Sequence, residues 1–339
     1  MNADTAAVAR DERAGSFFSL TPERVLAAVE RSGHYTTGLC YALNSLENRV
    51  YEVELDDRTR VVCKFYRPGR WSADAIGDEH RLLAALREAE IPVCAPTPFE
   101  DGETLHATDD GIFFAVFPRT GGRCPDELTG DEFEQLGRLL GRIHNVAASL
   151  SLAHRPRIAP ETYGTACLEK ILARGGMSPG VQARYEDAVK RLVGIGERLY
   201  QGVETFALHG DCHRANLLRG RAAGAGQITD QFYFLDFDDC GVGPAVQDMW
   251  LLLPARPADC PRELDSMLAG YELFRPLAHP TLRLIELLRG LRYVRYAAWI
   301  AERWDDPSFP RAFPQWGTDR YWEGQVADLY EQIALLDQA

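Results

Sequence analysis

The sequence lacks any long run of apolar residues. Of its 339 residues 46% are hydrophobic, yet no stretch approaches the roughly 20 apolar residues that a membrane-spanning helix needs. The first fifteen residues, MNADTAAVARDERAG, are polar and of mixed charge, so they have no apolar centre of the kind found in signal peptides. We therefore expect a cytoplasmic protein with no membrane partner.

Paired cysteines and an excess of basic residues are also lacking. The eight cysteines are scattered without a CxxC pair, which is typical of reduced, mostly buried thiols. Cys212, His213 and Cys240 do not have the paired spacing of zinc ligands. There are 37 Lys and Arg against 50 Asp and Glu, giving a net charge of −13. This charge argues against a dedicated nucleic-acid binder. We also expect the protein to be a monomer.

The elements that the sequence does contain change character along the chain. Residues 1–16 are predicted to be a flexible tail. Residues 17–117 combine helices at Pro22 and Asp74 to Glu90 with strands at Arg49 to Leu55, Arg60 to Tyr66, 103–107 and 113–117. From residue 118 onward the pattern is mainly helical, beginning with a capping box at Thr129 and Glu132. We predict an α+β, bilobal fold with a small β-rich N-lobe (17–117) and a larger helical C-lobe (118–339).

One stretch carries most of the chemistry. It reads LHGDCHRANLL from Leu208 and, after a Gly/Ala-rich segment, FYFLDFDDCG. Asp211 and Asn216 stand five residues apart, and a short apolar strand leads to Asp236. Phosphoryl transfer from a nucleotide needs a carboxylate to receive the hydroxyl proton and oxygen ligands to hold magnesium. The order and spacing match a kinase catalytic loop followed by its metal-binding aspartate.

Lys64 interrupts an otherwise apolar strand, Val-Val-Cys-Lys-Phe-Tyr. An isolated lysine of this kind usually points to solvent. In kinases, however, a strand lysine contacts the phosphates and is held by a helix glutamate, and a predicted helix carrying Glu79 follows. Asp78 is an open alternative to Glu79 as the partner.

The nucleotide-covering loop is less conventional. No GxGxxG motif exists, and its position is occupied by Leu43 to Tyr51. Backbone N–H groups of a tight turn can still contact phosphate, and the Ser45 hydroxyl can assist them. An ordinary polar hairpin turn is the alternative. Phe117 lies at the predicted hinge, where backbone groups would meet adenine.

These stretches resemble the aminoglycoside-phosphotransferase and choline-kinase branch of the protein-kinase-like fold. The resemblance extends from about Leu20 to Leu336 and includes NSLENRVYEV, VVCKFYRPGRW and DFDDCGVGPAVQDMWLLL. It implies an ATP- and Mg²⁺-dependent kinase acting on Ser/Thr hydroxyls of proteins. It also implies that Asp211 is the catalytic aspartate, that Asn216 and Asp236 bind the metal, and that Ser45 lies at the ATP site.

Departures from ordinary protein kinases keep other functions open. His209-Gly210-Asp211 replaces His-Arg-Asp, and only eleven residues separate Asp236 from Asp248, too few for a long activation segment. We therefore expect activity that does not depend on phosphorylation of such a segment. A small-molecule kinase acting on an amino alcohol, homoserine, choline or an aminoglycoside is the second hypothesis. A catalytically inactive nucleotide-sensing module is the third.

Overall fold

The computed structural model describes residue 17, residues 20–224 and residues 227–338. These residues pack as two compact units. The first contains the described residues up to Leu128, with Ser149–Arg155 and His213–Asp239. The second contains Thr129–Ala148, Pro156–Cys212 and the described residues from Cys240 onward. The predicted tail lies outside the described residues, and the lobe boundary after residue 117 stays a prediction.

The first unit is built on a five-stranded antiparallel sheet. Its strands are β1 (Thr36–Leu43), β2 (Arg49–Leu55), β3 (Arg60–Phe65), β4 (His106–Ala107) and β5 (Phe113–Pro118). They are ordered β1-β2-β3-β5-β4, so β3 has a neighbour on both sides. The predicted hairpin of β2 and β3 is confirmed. Strand β1 was not predicted, because it is an edge strand whose side chains are mostly exposed and no buried alternation marks it.

Two helices and a hairpin complete the first unit. Helix α1 (Pro22–Glu30) begins with proline as predicted, although Thr21 makes no capping hydrogen bond with its side chain. Helix α2 (Ala73–Glu88) is capped by Ser72, whose hydroxyl accepts from the Ala75 N–H. Strands β7 (Leu217–Gly224) and β8 (Gln227–Phe234) pair with each other as a hairpin. The predicted short strand ending near Leu235 is therefore one arm of a longer hairpin.

The second unit is mainly helical. The capping box at Thr129 and Glu132 is confirmed, and it opens the first helix of this unit. The helices are α3 (Gly130–Ala147), α4 (Ala166–Arg174), α5 (Pro179–Leu199), α6 (Val246–Trp250), α7 (Pro261–Glu272), α8 (Leu284–Glu302), α9 (Ser308–Ala312) and α10 (Asp319–Gln338). A two-stranded sheet pairs β6 (Phe206–Leu208) with β9 (Gly241–Gly243). An N-terminal β-sheet followed by a mainly helical region confirms the predicted α+β class.

Helices α3 and α7 touch through glycines. A Cβ atom on Gly137 would stand 2.0 Å from the Met267 carbonyl oxygen, and one on Gly270 would stand 2.0 Å from that of Glu134. Real side chains never approach backbone this closely, so the two helices can pack at this separation only without Cβ atoms at these positions. Among the residues that the structure describes, no helix combines the length and apolarity needed to span a membrane.

Candidate functional site

Lys64 is buried on the central strand of the sheet. Side chains alternate along β3, so Val62 and Lys64 share one face while Cys63 and Phe65 are buried in the core behind it. Lys64 Nζ lies 3.3 Å from Glu79 Oε1 and 3.0 Å from Asp238 Oδ1. Burial opposes the charge on Lys64, but the Asp238 and Glu79 carboxylates outweigh it and raise the pKa of the lysine well above its ordinary value.

The structure pairs Lys64 with Glu79 rather than with the alternative, Asp78. The Asp78 carboxylate forms an ion pair with Arg81 and accepts a hydrogen bond of 2.8 Å from the His154 backbone N–H. Glu79 is 1% exposed and its second oxygen, Oε2, lies 2.8 Å from Arg155 Nη2. Glu79 is therefore held from both sides by cations.

Asn216 and Asp236 are brought together by the β7–β8 hairpin. Asn216 directly precedes β7, Asp236 follows β8 by two residues, and the Leu235 N–H donates to the Asn216 carbonyl at 2.9 Å. Asp236 Oδ1 lies 3.4 Å from Lys64 Nζ. The backbone of Asp236 has φ +56°, a left-handed conformation that non-glycine residues adopt at a cost. Strain of this kind is common where a side chain must point in one functional direction.

These side chains line one pocket within the first unit. Its volume is about 410 Å³, within the range of small-molecule sites. Both apolar and polar side chains line it. The predicted site residues that line it are Ser45, Lys64, Glu79, Phe117, Asn216 and Asp236, and its apolar lining includes Leu43, Val50, Val62, Leu83, Leu218 and Leu235.

The donor set of this pocket fits a magnesium–nucleotide complex. An amide oxygen from Asn216 and a carboxylate from Asp236 are the hard oxygen donors that Mg²⁺ prefers. A buried ammonium group at Lys64 suits phosphate oxygens, and the apolar lining suits a flat base. Although the Asp236 side chain is 56% exposed, desolvation within the pocket and the nearby Asp238 carboxylate raise its pKa, against the opposing effect of Lys64. The Asp236, Asp238 and Glu79 carboxylates surround Lys64, and Arg70 and Arg155 balance part of their charge.

The loop between β1 and β2 is fixed without glycines. The Ser45 hydroxyl accepts from the Asn48 N–H at 3.3 Å, and the Asn48 side chain accepts from the Arg67 N–H at 3.1 Å. The Arg67 guanidinium donates to the carbonyls of Glu47 and Leu46, each at 2.9 Å. Hydrogen bonds from side chains therefore fix the conformation of this turn, which contains no glycine.

Asp238 is an ion-pair partner at the base of the first unit's site. Its side chain is 4% exposed and its two oxygens lie 3.0 Å from Lys64 Nζ and 2.7 Å from Arg70 Nη1. Burial disfavours its charge, but Arg70 and Lys64 outweigh burial and lower the pKa of Asp238. Arg70 also contacts Asp239 at 2.7 Å. Sequence reasoning did not single out Arg70, although it stands in the stretch VVCKFYRPGRW.

Arg155 is a second residue that the sequence did not indicate. Its side chain is fully buried, with Nε donating to the Ala75 carbonyl at 2.7 Å and Nη1 to the Asp238 carbonyl at 2.6 Å. With its bond to Glu79, this one guanidinium ties helix α2 to the backbone that follows Asp236. Glu79 and Asp238 are 76 and 83 residues from Arg155, so no spacing rule predicts the contact.

Asp211 belongs to the second unit, in the loop that follows β6. The backbone N–H groups of His209 and Gly210 donate to the buried Asp248 carboxylate at 2.9 and 2.8 Å. Asp248 therefore fixes the backbone of the loop that carries Asp211. Gln247 Nε2 adds a bond of 2.8 Å to the Gly210 carbonyl. Gly210 has φ +83°, a conformation suited to glycine.

The Asp211 carboxylate forms an ion pair that the sequence did not indicate. Arg292 Nη1, on helix α8, lies 2.6 Å from Asp211 Oδ1. A charged partner on the candidate proton acceptor is unexpected, because a base needs an accessible oxygen. The late stretch RYVRYAAW carries this arginine, but 80 residues of chain separate it from Asp211.

Comparisons with known proteins agree with this arrangement. A model of the "Phosphotransferase enzyme family" matches residues 42–285, which is more than half of the chain. "Stress response kinase A" of Escherichia coli (strain K12) is 37% identical over 327 residues, 95% of each chain. "Serine/threonine protein kinase RdoA" of Salmonella typhimurium (strain LT2) is 35% identical over 329 residues, 97% of each chain.

Solved structures give the same fold. A complex of the amicoumacin kinase hAmiN with AMP-PNP, Ca²⁺ and Ami has a TM-score of 0.71 over 100% of this chain and 97% of that one, at 19% identity. This likeness concerns the fold alone. The predicted resemblance to stress response kinase A and to the protein-kinase-like fold is confirmed. Because the family model matches residues 42–285 and these relatives are 35–37% identical over at least 95% of the chain, this chain is a kinase that belongs to the phosphotransferase enzyme family.

Proposed function

We propose that this protein transfers the γ-phosphoryl group of ATP to Ser/Thr hydroxyls of other proteins, with magnesium, in a cytoplasmic stress response. The observation that carries the proposal is the pocket lined by Lys64, Glu79, Asn216 and Asp236. The names of the relatives, stress response kinase A and serine/threonine protein kinase, support the acceptor and the setting. We further propose a monomer that needs neither nucleic acid nor a membrane.

Within the pocket each residue has a separate task. Lys64, held by Glu79 at 3.3 Å, would neutralise phosphate charge. Asn216 and Asp236 would hold magnesium, which would supply positive charge to offset that of the phosphates. Ser45 and the backbone of its loop would contact phosphate, and the strand end at Phe117 would present backbone groups to the base.

Asp211 would orient the acceptor hydroxyl and take its proton. The loop that carries it is fixed by two hydrogen bonds to Asp248, so its backbone is set before substrate arrives. The chain from Asp236 to Asp248 contains a short helical turn, Phe237–Asp239, and strand β9, and it has no room for a long activation segment. Activity should therefore be independent of phosphorylation there.

A small-molecule kinase is the second candidate. The same missing segment favours it, since peptide-binding kinases use that segment as a platform, and the amicoumacin kinase shares the fold. Purified protein should be incubated with labelled ATP and either a generic protein substrate or a panel of amino alcohols and aminoglycosides. We expect Ser/Thr labelling of protein. Rapid turnover of one small molecule with only slow protein labelling would favour the second candidate.

A further inference from the structure

Arg292 forms an ion pair with the Asp211 carboxylate, which an acceptor hydroxyl must approach. The Asp211 and Arg292 side chains are 23% and 34% exposed, and their 2.6 Å contact joins Oδ1 to Nη1. A hydroxyl that is to give its proton to Asp211 must approach the same carboxylate. In the substrate-free protein the guanidinium balances that charge. An acceptor group that engages Arg292 would therefore release Asp211 Oδ1 from this ion pair.

Helix α8 places two further arginines one turn on either side. Arg289 lies 4.7 Å from the Trp250 ring centre and Arg295 lies 5.7 Å from that of Tyr163. Their side chains are 18% and 21% exposed. Aromatic faces stabilise a guanidinium without cancelling its charge.

The carboxylates near these arginines are shared with other cations. Glu286 contacts Arg256 at 2.7 Å as well as Arg289 at 3.4 Å. Glu302 contacts Lys170 at 2.7 Å and Arg303 at 3.4 Å, and Arg295 is more distant at 3.8 Å. Each of these two carboxylates is therefore shared by at least two cations.

Acidic residues near the C-terminus have partners elsewhere in the second unit. Asp305 forms two bonds of 2.9 Å with Arg174, and Glu323 lies 3.5 Å from Arg184. Asp319 accepts from the Ser178 backbone at 3.1 Å. Each of these carboxylates pairs with a group of the second unit other than Asp211 or Arg292.

We propose that Arg292 selects acceptors that carry an anionic group, carboxylate or phosphate, beside the hydroxyl. This rests on the proposed role of Asp211. The acceptor's anion takes the guanidinium from Asp211, and the released carboxylate then receives the hydroxyl. In a protein this is a Ser or Thr flanked by Asp, Glu or a phosphorylated residue. A small hydroxy acid has the same chemistry.

Direct binding tests the inference without any turnover. The probe is a peptide with acidic residues around an alanine that replaces the acceptor serine, compared with its Asn/Gln counterpart by calorimetry without nucleotide. Arg292→Gln should weaken binding of the acidic peptide about tenfold, as expected for a charge-assisted hydrogen bond, and leave the neutral peptide unchanged. Asp211→Asn should tighten the acidic peptide, because the competing carboxylate is gone.

Arg174→Ala is the matched control, since the Arg174 side chain is 32% exposed and also pairs with an aspartate. It should leave both affinities unchanged. Acidic and neutral peptides that bind the wild type equally, or an acidic peptide indifferent to Arg292→Gln, would overturn the inference.

Turnover separates specificity from simple positioning. Arg292→Gln should lower kcat/KM for acidic acceptors while sparing neutral ones, and Arg292→Glu should shift the preference toward basic acceptors. An equal loss for every acceptor would mean that Arg292 only positions Asp211, and the inference would fail.

The proposed function fails separately. If no acceptor is phosphorylated but the acidic peptide binds through Arg292, the anion site stands and the proposed Ser/Thr kinase function does not. If proteins are phosphorylated without regard to flanking charge, the kinase assignment stands and the anion site does not. Small hydroxy acids are added to the panel of amino alcohols and aminoglycosides, and a preference for the amino alcohols over the hydroxy acids would also overturn the inference.

Discussion

Two aspartates of the central motif differ in their surroundings, and this difference predicts different defects. Asp236 lies in the pocket 3.4 Å from Lys64, whereas Asp211 pairs with Arg292 in the other unit. Asp211→Asn keeps the size of the side chain but removes its affinity for a proton, so kcat should fall by roughly 10²–10⁴ while ATP affinity survives. Asp236→Asn should weaken Mg-ATP binding as well as turnover, because a carboxylate ligand is lost.

Calorimetric ATP affinity and single-turnover rates, measured side by side, check this division. Lys64→Met should reduce both quantities, and Ser45→Ala should be the mildest change because backbone donors remain. Loss of ATP binding in Asp211→Asn, with Asp236→Asn unaffected, would mean that the two roles have been exchanged.

Burial of His80 should make the stability of the protein depend on pH. His80 is 5% exposed, with its ring nitrogens 2.8 Å from the Tyr66 hydroxyl and 2.7 Å from that of Thr104. Burial, and then the charges of Lys64 and Arg155, lower the pKa of His80 from 6.5 to about 3. Below pH 6.5 the unfolded chain therefore binds a proton that the folded chain does not. The free energy of unfolding should decrease as pH falls from 6.5 toward 3, by at most about 1.4 kcal/mol per pH unit from this group.

His80→Gln isolates this contribution, because glutamine can keep a hydrogen bond but cannot titrate. Its melting temperature should decline less steeply between pH 7 and pH 5 than that of the wild type. His279→Gln is the control, since the His279 side chain is 58% exposed, and it should follow the wild-type curve. Parallel curves for the wild type and His80→Gln would show that His80 titrates normally.

At the scale of elements, Arg155 connects helix α2 with the backbone after Asp236. Breaking a buried ion pair by removing one partner costs about 3–5 kcal/mol, so Arg155→Met should destabilise the protein and leave Glu79 with fewer partners. KM for ATP should rise as Lys64 loses its fixed position. Arg155→Lys retains the charge but not the three-way geometry, and it should be intermediate in both stability and KM.

A double-mutant cycle distinguishes this positioning role from a general loss of stability. Arg155→Met, Glu79→Gln and the double variant should show a coupling of about 0.5–3 kcal/mol in kcat/KM for ATP. Defects that simply add would indicate that Arg155 stabilises the fold without acting through Glu79.

Local sequence signals predicted most helices and strands, but they did not predict contacts between residues far apart in the chain. Pro22 and the capping box at Thr129 set helix starts through neighbouring residues alone. The pocket residues followed from motif spacing because β3 alternation and the hairpin before Asp236 act over short distances. Arg155 and Arg292 reach partners far along the chain, and only the folded backbone brings them together. Edge strand β1 was not predicted, because it is defined by its pairing with β2 and its side chains are mostly exposed.

At the scale of the whole molecule, the phosphotransferase assignment makes stability depend on ligand and metal together. A ligand that binds only the folded state stabilises it by about 2.7 kcal/mol at a hundred times its dissociation constant. Because Asn216 and Asp236 would bind the nucleotide through magnesium, ATP should raise the melting temperature strongly with Mg²⁺ and weakly with EDTA. Asp236→Asn should lose most of the Mg²⁺-dependent shift, while Asp305→Asn, which removes an exposed charge of the second unit, should keep it. Differential scanning calorimetry of the three proteins measures these shifts. Equal stabilisation by ATP in Mg²⁺ and in excess EDTA would contradict the metal site at Asn216 and Asp236.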